Sequence, residues 1–235
     1  MKRIAFILAG GKGQRLRPFT MTIPKPALPI AGMPIIGVVL KQLENANFEK
    51  AYISLGYKGY IIKAMIEEEL KPKLNIVYVE DSNFATGTAG ALKLIPEKLE
   101  HVFVINGDVL TDLDFGLLWT THLENDYDAT IALAQRSINI DYGVVEKSSN
   151  NLLLKFSEKP TITSLVSMGV NIIRGSKLNL IPENAPLDMP DLLLKIKEHG
   201  TVGCHVHLGY WQDIGRLEDF EKANIDFEKE QSKFI

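Results

Sequence analysis

A chain of 235 residues that is 46% hydrophobic and 23% charged carries enough apolar material for one substantial core and reads as a single globular domain. Its net charge of -3, with no long basic run, excludes a nucleic-acid footprint and a polybasic membrane patch, and no apolar run approaches the roughly 20 residues that span a bilayer. Cys204 is the only cysteine, so no internal disulfide can form, which suits a reducing cytoplasm.

The opening stretch Met1 to Ala9 superficially resembles a signal peptide, but its apolar part is short and runs directly into a glycine-rich loop, so it reads as a buried first strand. Gly10, Gly11 and Gly13 follow, and a loop of this kind can turn its backbone N–H groups toward an anion because no Cβ blocks the approach. Arg15 adds a permanently charged fork suited to phosphate oxygens. Lys25 adds a point charge between Pro24 and Pro26, which are expected to hold the segment extended. The spacing fails both the P-loop pattern, which needs G-x-x-x-x-G-K-[ST], and the dinucleotide fingerprint, where Leu16 stands in place of the last glycine. On the loop alone, a glycine-rich surface turn is the rival reading.

Short apolar runs at 4–8, 51–55, 76–79, 102–105 and 129–134 read as strands, and the stretches 34–45, 60–70, 88–95 and 115–125 between them have helical spacing. This alternation predicts an α/β fold with a mostly parallel sheet and helices on both faces, which binds ligands at the carboxyl ends of its strands. After about Gln135 the pattern changes to strand-like pieces at 143–147, 152–158 and 166–173 with a turn at 148–151. Helices at 189–199 and 216–228 then close the chain around a strand at 202–205. The expectation is one domain over 1–235, in which 136–235 supply closing helices and a smaller β-rich extension over the sheet built by 1–135.

Two acids draw attention. Asp108, in the run Asn106, Gly107, Asp108, follows the fourth strand and should stand at the sheet edge where the glycine loop emerges. Beside phosphate charge a carboxylate is poorly placed unless a hard cation lies between them, and Mg²⁺ resolves the conflict; a plain turn residue is the alternative. Asp213, between Trp211 and Gly215, could complete that metal site if the later half folds back over the sheet, or could cap the next helix.

Taken together, the motifs resemble the sugar-phosphate nucleotidyltransferase family, the enzymes that make nucleoside-diphosphate sugars, and come nearest its short mannose-1-phosphate guanylyltransferase-like members. The resemblance runs through 10–26, 87–92, 106–108, 142–144, 158–160 and 210–215 in order. It implies a Rossmann-like fold with a nucleotide-binding core at 1–135 and a β-rich extension at 136–235 that covers the sugar site, in which a sugar 1-phosphate oxygen attacks the α-phosphorus of a nucleoside triphosphate and pyrophosphate leaves. Carried over by position, Arg15 and Lys25 are catalytic, neutralising the leaving pyrophosphate and the reacting centre, and Asp108 and Asp213 hold Mg²⁺. Leu8, Ala9, Gly10, Gly11 and Gly13, with Glu80, Gly87 and Thr88, would bind the nucleotide. Glu158 would bind sugar hydroxyls and Lys159 the sugar phosphate, while Gly143 and Gly169 let the sugar approach the backbone. Such transfer needs positioning and charge neutralisation, and no Ser-His-Asp nucleophile is evident.

The chain departs from the family at Gln14, where Thr or Ser is usual, and at 167–171, where Ser167, Gly169 and Asn171 share a strand face that would look toward the sugar. The run from Gly87 to Gly90 favours GTP, with Glu80 or Asp81 accepting guanine N–H bonds; UTP is the nearest alternative. A silent nucleotide-sugar sensor is the alternative of another class. The expected partners are a nucleoside triphosphate and a sugar 1-phosphate, with no nucleic acid and no membrane, and a homo-oligomer is left open. The lack of hexapeptide repeats argues against an attached acyltransferase domain. A metal pair of His205 and His207 weighs less than an ordinary polar strand face, and His101, His122 and His199 have no supporting constellation. Cys204 reads as packing, Trp211 as a support for Asp213, and the run 67–69 as a solvated helix face.

Overall fold

The computed structural model of the protein describes residues 2–80, 86–183 and 185–235. Strand β1 (Ile4–Ala9) leads into 3₁₀ turns at Gln14–Leu16, Phe19–Met21 and Lys25–Ala27 and then a small hairpin of β2 (Pro29–Ile30) and β3 (Met33–Pro34). Helix α1 (Ile35–Asn45), β4 (Lys50–Leu55), α2 (Gly59–Met65), a π turn over Ile66–Leu70 and β5 (Asn75–Glu80) continue the alternation. Next come α3 (Gly87–Gly90) with a 3₁₀ turn at Ala91–Leu94, β6 (His101–Asn106), β7 (Val109–Thr111), α4 (Phe115–Glu124) and β8 (Ala129–Asn139). A hairpin of β9 (Val144–Lys147) and β10 (Leu153–Ser157) precedes β11 (Thr161–Arg174), α5 (Met189–His199) and β12 (Val202–His207). The chain closes with β13 (Trp211–Asp213), α6 (Leu217–Lys229) and α7 (Gln231–Phe234).

Seven strands form the central sheet in the order β12-β8-β11-β6-β1-β4-β5. Among the described residues only β11 runs antiparallel to its neighbours in this sheet, so the expected α/β architecture with a mostly parallel sheet is present. Alternation in β1 shows how the sequence covers both faces. Ala5, Ile7 and Ala9 join Val39, Leu43 and Trp119 of the helices on one side, and Ile4 and Phe6 join Leu92, Leu192 and Ile196 on the other. A third cluster packs Ala223 and Phe227 of α6 and Phe234 of α7 against Ile35 and Val38 of α1, which carries the C-terminal elements back to the first half.

Three expectations need correction. The strands expected at 129–134 and 166–173 extend to 129–139 and 161–174. Their outer parts form an exposed ribbon in which Ser137 bonds Thr163 at 3.0 Å and Thr161 donates to Asn139 at 2.8 Å, so polar pairs continue the ladder where no apolar period marks it. The helix expected over 88–95 is one α turn followed by a 3₁₀ turn. Lys25 is not on an extended segment: Pro24 is extended, but Lys25–Ala27 turns, closed by Leu28 N donating to Lys25 O at 3.1 Å.

Candidate active site

From β1 the chain goes to β4 on one side, and it later returns to β6 on the other, so a crevice opens beyond the carboxyl ends of β1 and β6. Leu8 and Asn106 are register partners there, and Gly107 N donates to Leu8 O at 2.9 Å, which ties the two exits together. A cavity of about 740 Å³ covers this edge. It is lined by Leu8 and Ala9 at the end of β1, by Gly10, Gly11, Gly13 and Arg15 of the loop that follows, and by Gly87 and Thr88 at the start of α3. Of the residues expected to bind nucleotide, Glu80 alone lines neither this cavity nor the next; it is exposed at the end of β5. Asp81, the other candidate base acceptor, lies outside the described residues.

An adjoining cavity of about 480 Å³ shares Leu8, Arg15, Lys25, Thr88, Asn106 and Asp108 with the first. To these it adds Ser167, Gly169 and Asn171 of β11, Trp211 and Asp213 of β13, and an apolar wall of Met189, Pro190 and Leu193 from α5. Asn171 is 4% exposed, and its Oδ1 has no hydrogen-bond partner among the described residues. Gly169 has φ +73°, and a Cβ there would press on the Asn106 side chain, so this turn of β11 requires glycine.

The two cavities meet at Lys25, whose Nζ lies 2.5 Å from Asp108 Oδ2 and 3.4 Å from Asp213 Oδ1. Lys25 is 8% exposed, so this ammonium is held among its partners rather than in solvent. Asp213 arrives through the short antiparallel ribbon of β7 and β13, where it stands opposite Val109. Thr111 Oγ1 donates to Tyr210 O at 2.8 Å, and Trp211 Nε1 donates to Met168 O at 3.0 Å. Asp112 Oδ1 accepts from Tyr210 N and bonds His207 Nε2, each at 2.6 Å. His207 is thereby committed to Asp112, and among the described residues no group of three His, Cys, Asp or Glu side chains gathers as a metal cluster. Arg15 completes the charge arrangement: a Cβ built on Gly215 would lie 3.4 Å from Arg15 Cζ and 3.3 Å from Asp213 Oδ2.

Asp108 Oδ1 is buried and has no hydrogen-bond partner among the described residues. A carboxylate oxygen removed from water without a donor is costly, and a hard divalent cation is the partner it fits. Two carboxylates that share one ammonium are also a suitable donor set for an ion that completes its shell with phosphate and water oxygens.

Gly143, Glu158 and Lys159 are not brought into either cavity. All three are exposed beside the β9–β10 hairpin, where Glu158 Oε2 lies 3.2 Å from the Cβ position of Gly143. Sequence reasoning missed Asp188, which lines the larger cavity, and Met189, Pro190 and Leu193 in the smaller one. An Asp just before a helix reads as a cap, and apolar residues at a helix start read as core. It also missed a buried pair, His101 Nδ1 and His122 Nε2, 2.8 Å apart.

The chain is 30% identical to the mannose-1-phosphate guanylyltransferase of Mycobacterium tuberculosis, over 94% of this chain and 64% of that protein. It is 31% identical to the UTP–glucose-1-phosphate uridylyltransferase of Synechocystis, over 93% of this chain and 62% of that protein. The chain thus spans less than two thirds of the length of these curated relatives. Among solved structures, HddC from Yersinia pseudotuberculosis superposes with a TM-score of 0.74 at 27% identity, covering 96% of this chain and 99% of that one. The same protein complexed with GMP-PN gives a TM-score of 0.70. Residues 4–230 match the family model described as nucleotidyl transferase, and the chain belongs to that family.

Proposed function

We propose that the protein transfers a nucleoside monophosphate from a nucleoside triphosphate, GTP first, to a sugar 1-phosphate and releases pyrophosphate. The observation that carries this reading is the position of Lys25, Asp108 and Asp213 where a nucleotide-sized cavity and a sugar-sized cavity adjoin.

In this reading, the chain between Gly10 and Gly13 cradles the phosphates and Arg15 faces the departing pyrophosphate. Lys25 lies against the α-phosphate as an oxygen of the sugar phosphate forms its bond to that phosphorus and the bond to the β-phosphate oxygen breaks. Charge neutralisation and alignment supply the rate, with no covalent enzyme intermediate. Asp108 and Asp213 would hold a divalent cation, Mg²⁺, which when bound neutralises phosphate charge. Ser167, Gly169 and Asn171 face the sugar, and the Asn171 amide offers a buried acceptor to one of its hydroxyls. Glu158, Lys159 and Gly143 reach the sugar only if the hairpin region moves toward the smaller cavity.

Residues 1–135 then act mainly as the nucleotide-binding core and 136–235 as the sugar side, although β11 and β12 complete the same sheet. GTP is supported by the GMP-PN complex of HddC and by the guanylyltransferase relative; UTP is the second reading, supported by the uridylyltransferase relative. Among the described residues no helix is long and apolar enough to cross a membrane. The test is a matrix of nucleoside triphosphates against sugar 1-phosphates with Mg²⁺, read by pyrophosphate release. Turnover is expected to be highest in the GTP row; binding of nucleotide sugars with no turnover anywhere would mark a sensor instead.

A further inference from the structure

Asp188 occupies the position before α5 where an aspartate ordinarily bonds the N–H groups of its own helix, yet it makes no such bond. Its Oδ1 instead accepts from Thr88 N at 3.0 Å and from Thr88 Oγ1 at 3.3 Å. Thr88 Oγ1 in turn accepts from Met189 N at 2.8 Å. Behind this contact, Leu187 O accepts from Ala89 N at 2.9 Å and Gly90 N at 3.0 Å, and Leu187 N donates to Thr86 O at 2.9 Å. Gly87 sits at φ +73°, and any Cβ there would run into the Leu187 carbonyl. The glycine at this position is therefore required by the chain before α5, whatever a base also gains from it.

This joint lies where it matters for both substrates. Thr88 and Asp188 line the larger cavity, and Thr88 and Met189 line the smaller. We propose that Asp188 is a positioning residue of the transfer reaction, and that its carboxylate docks the Gly87–Thr88 wall of the nucleotide cavity onto the start of α5, so one contact sets the shape of both subsites. The inference rests on the reading of the cleft as a nucleotidyltransferase site. A side chain that merely capped α5 would contribute to stability alone. One that fixes a shared wall acts on affinity for both substrates, while the reacting groups at Lys25, Asp108 and Asp213 stay in place.

The experiment measures GTP·Mg²⁺ and UTP·Mg²⁺ affinity by calorimetry and steady-state constants with mannose 1-phosphate for the wild type, Asp188→Ala and Asp188→Asn. The alanine variant is expected to weaken nucleotide binding and raise KM for the sugar phosphate, each about tenfold, with kcat changed by about threefold or less. Asn keeps an oxygen acceptor for Thr88 N and Oγ1, so it is expected to restore both constants to within about threefold of wild type. Unmoved affinities in Asp188→Ala, or equal damage from Ala and Asn, overturn the proposal. Should Asp188→Ala fail to fold, Thr88→Val removes the hydroxyl that links Asp188 to Met189, and it must move both constants in the same direction or the proposal falls. A wild type that binds neither nucleotide overturns the reading of the cleft and the joint with it. A wild type that binds and turns over, beside variants with unmoved constants, overturns the joint alone.

Discussion

Asp213 stands opposite Val109 in the β7–β13 ribbon, and that register places its carboxylate beside Asp108 on a single ammonium, Lys25 Nζ. A three-residue strand thus does what a long sequence separation hides: it delivers an acid from the end of the chain to the exit of β6. The pairing also explains why Trp211 is anchored, since its Nε1 bond to Met168 O fixes the strand that carries Asp213.

Replacing either acid should therefore change the cation requirement before it changes the fold. Asp108→Asn and Asp213→Asn are each expected to lower kcat by about 100-fold or more at a fixed Mg²⁺ concentration. Circular dichroism should match wild type. Asp108 is expected to be the more damaging, because its Oδ1 is buried and unpartnered while the Asp213 side chain is 43% exposed. Equal turnover in either variant across a Mg²⁺ titration would remove that acid from the site.

Arg15→Ala should slow pyrophosphate release by roughly 100-fold, in line with loss of one donor aimed at developing charge. Arg15 is exposed, and removing it leaves the buried core untouched, so the melting temperature should move little. Near-normal turnover in a folded variant contradicts its role.

Gly169→Ala tests the turn of β11 that lines the smaller cavity. Positive φ and crowding against Asn106 together are expected to cost about 2 kcal/mol, read as a lower urea midpoint. Because the displaced Asn106 lines both cavities, KM for both substrates should also rise. A variant with wild-type stability would show that the backbone there is not held as described.

The buried histidine pair predicts a pH dependence unrelated to catalysis. His122 is fully buried, bonds His101 through Nε2 and Thr130 Oγ1 through Nδ1, each at 2.8 Å, and burial, then the neighbouring His101 and Arg174, push its pKa down to about 4. Asp126 and Asp128 act in the opposite sense without reversing the shift. Because the folded pKa lies below the unfolded value near 6.5, the unfolded chain binds more protons between those limits, so stability is fully present above pH 6.5 and is lost as pH falls toward 4. The slope should approach about 1.4 kcal/mol per pH unit near pH 5. Denaturant unfolding of wild type and His122→Asn from pH 4.5 to 7.5 checks this: the variant should show a distinctly shallower slope, and parallel curves would contradict the assignment.

Much of this was legible in the residues. The short apolar run of β1 and the helical spacing of the stretch that forms α1 marked the sheet and its helices, because buried elements write their apolar pattern into the chain. The glycine loop, Arg15, Lys25 and Asp108 could be placed at one edge because a parallel sheet sends every such strand end the same way. What was hidden is short or polar. β7 and β13 are too brief for a period, and the outer ends of β8 and β11 are held by side-chain pairs such as Ser137 and Thr163 rather than by burial. The role of Asp188 rests on its contact with Thr88, 100 residues away, which no local pattern announces. Glu80 lines neither cavity, because β5 is the sheet's edge strand and its last residue stays exposed.

The central claim is that one ion, two acids and Lys25 share the reacting centre. It is tested most directly by anomalous scattering from crystals grown with Mn²⁺ and a non-hydrolysable GTP analogue. A single strong peak within coordination distance of both Asp108 and Asp213, next to the nucleotide phosphates, is the result expected. A nucleotide bound in the cleft with its metal remote from both acids, or with the two carboxylates drawn apart, would contradict it.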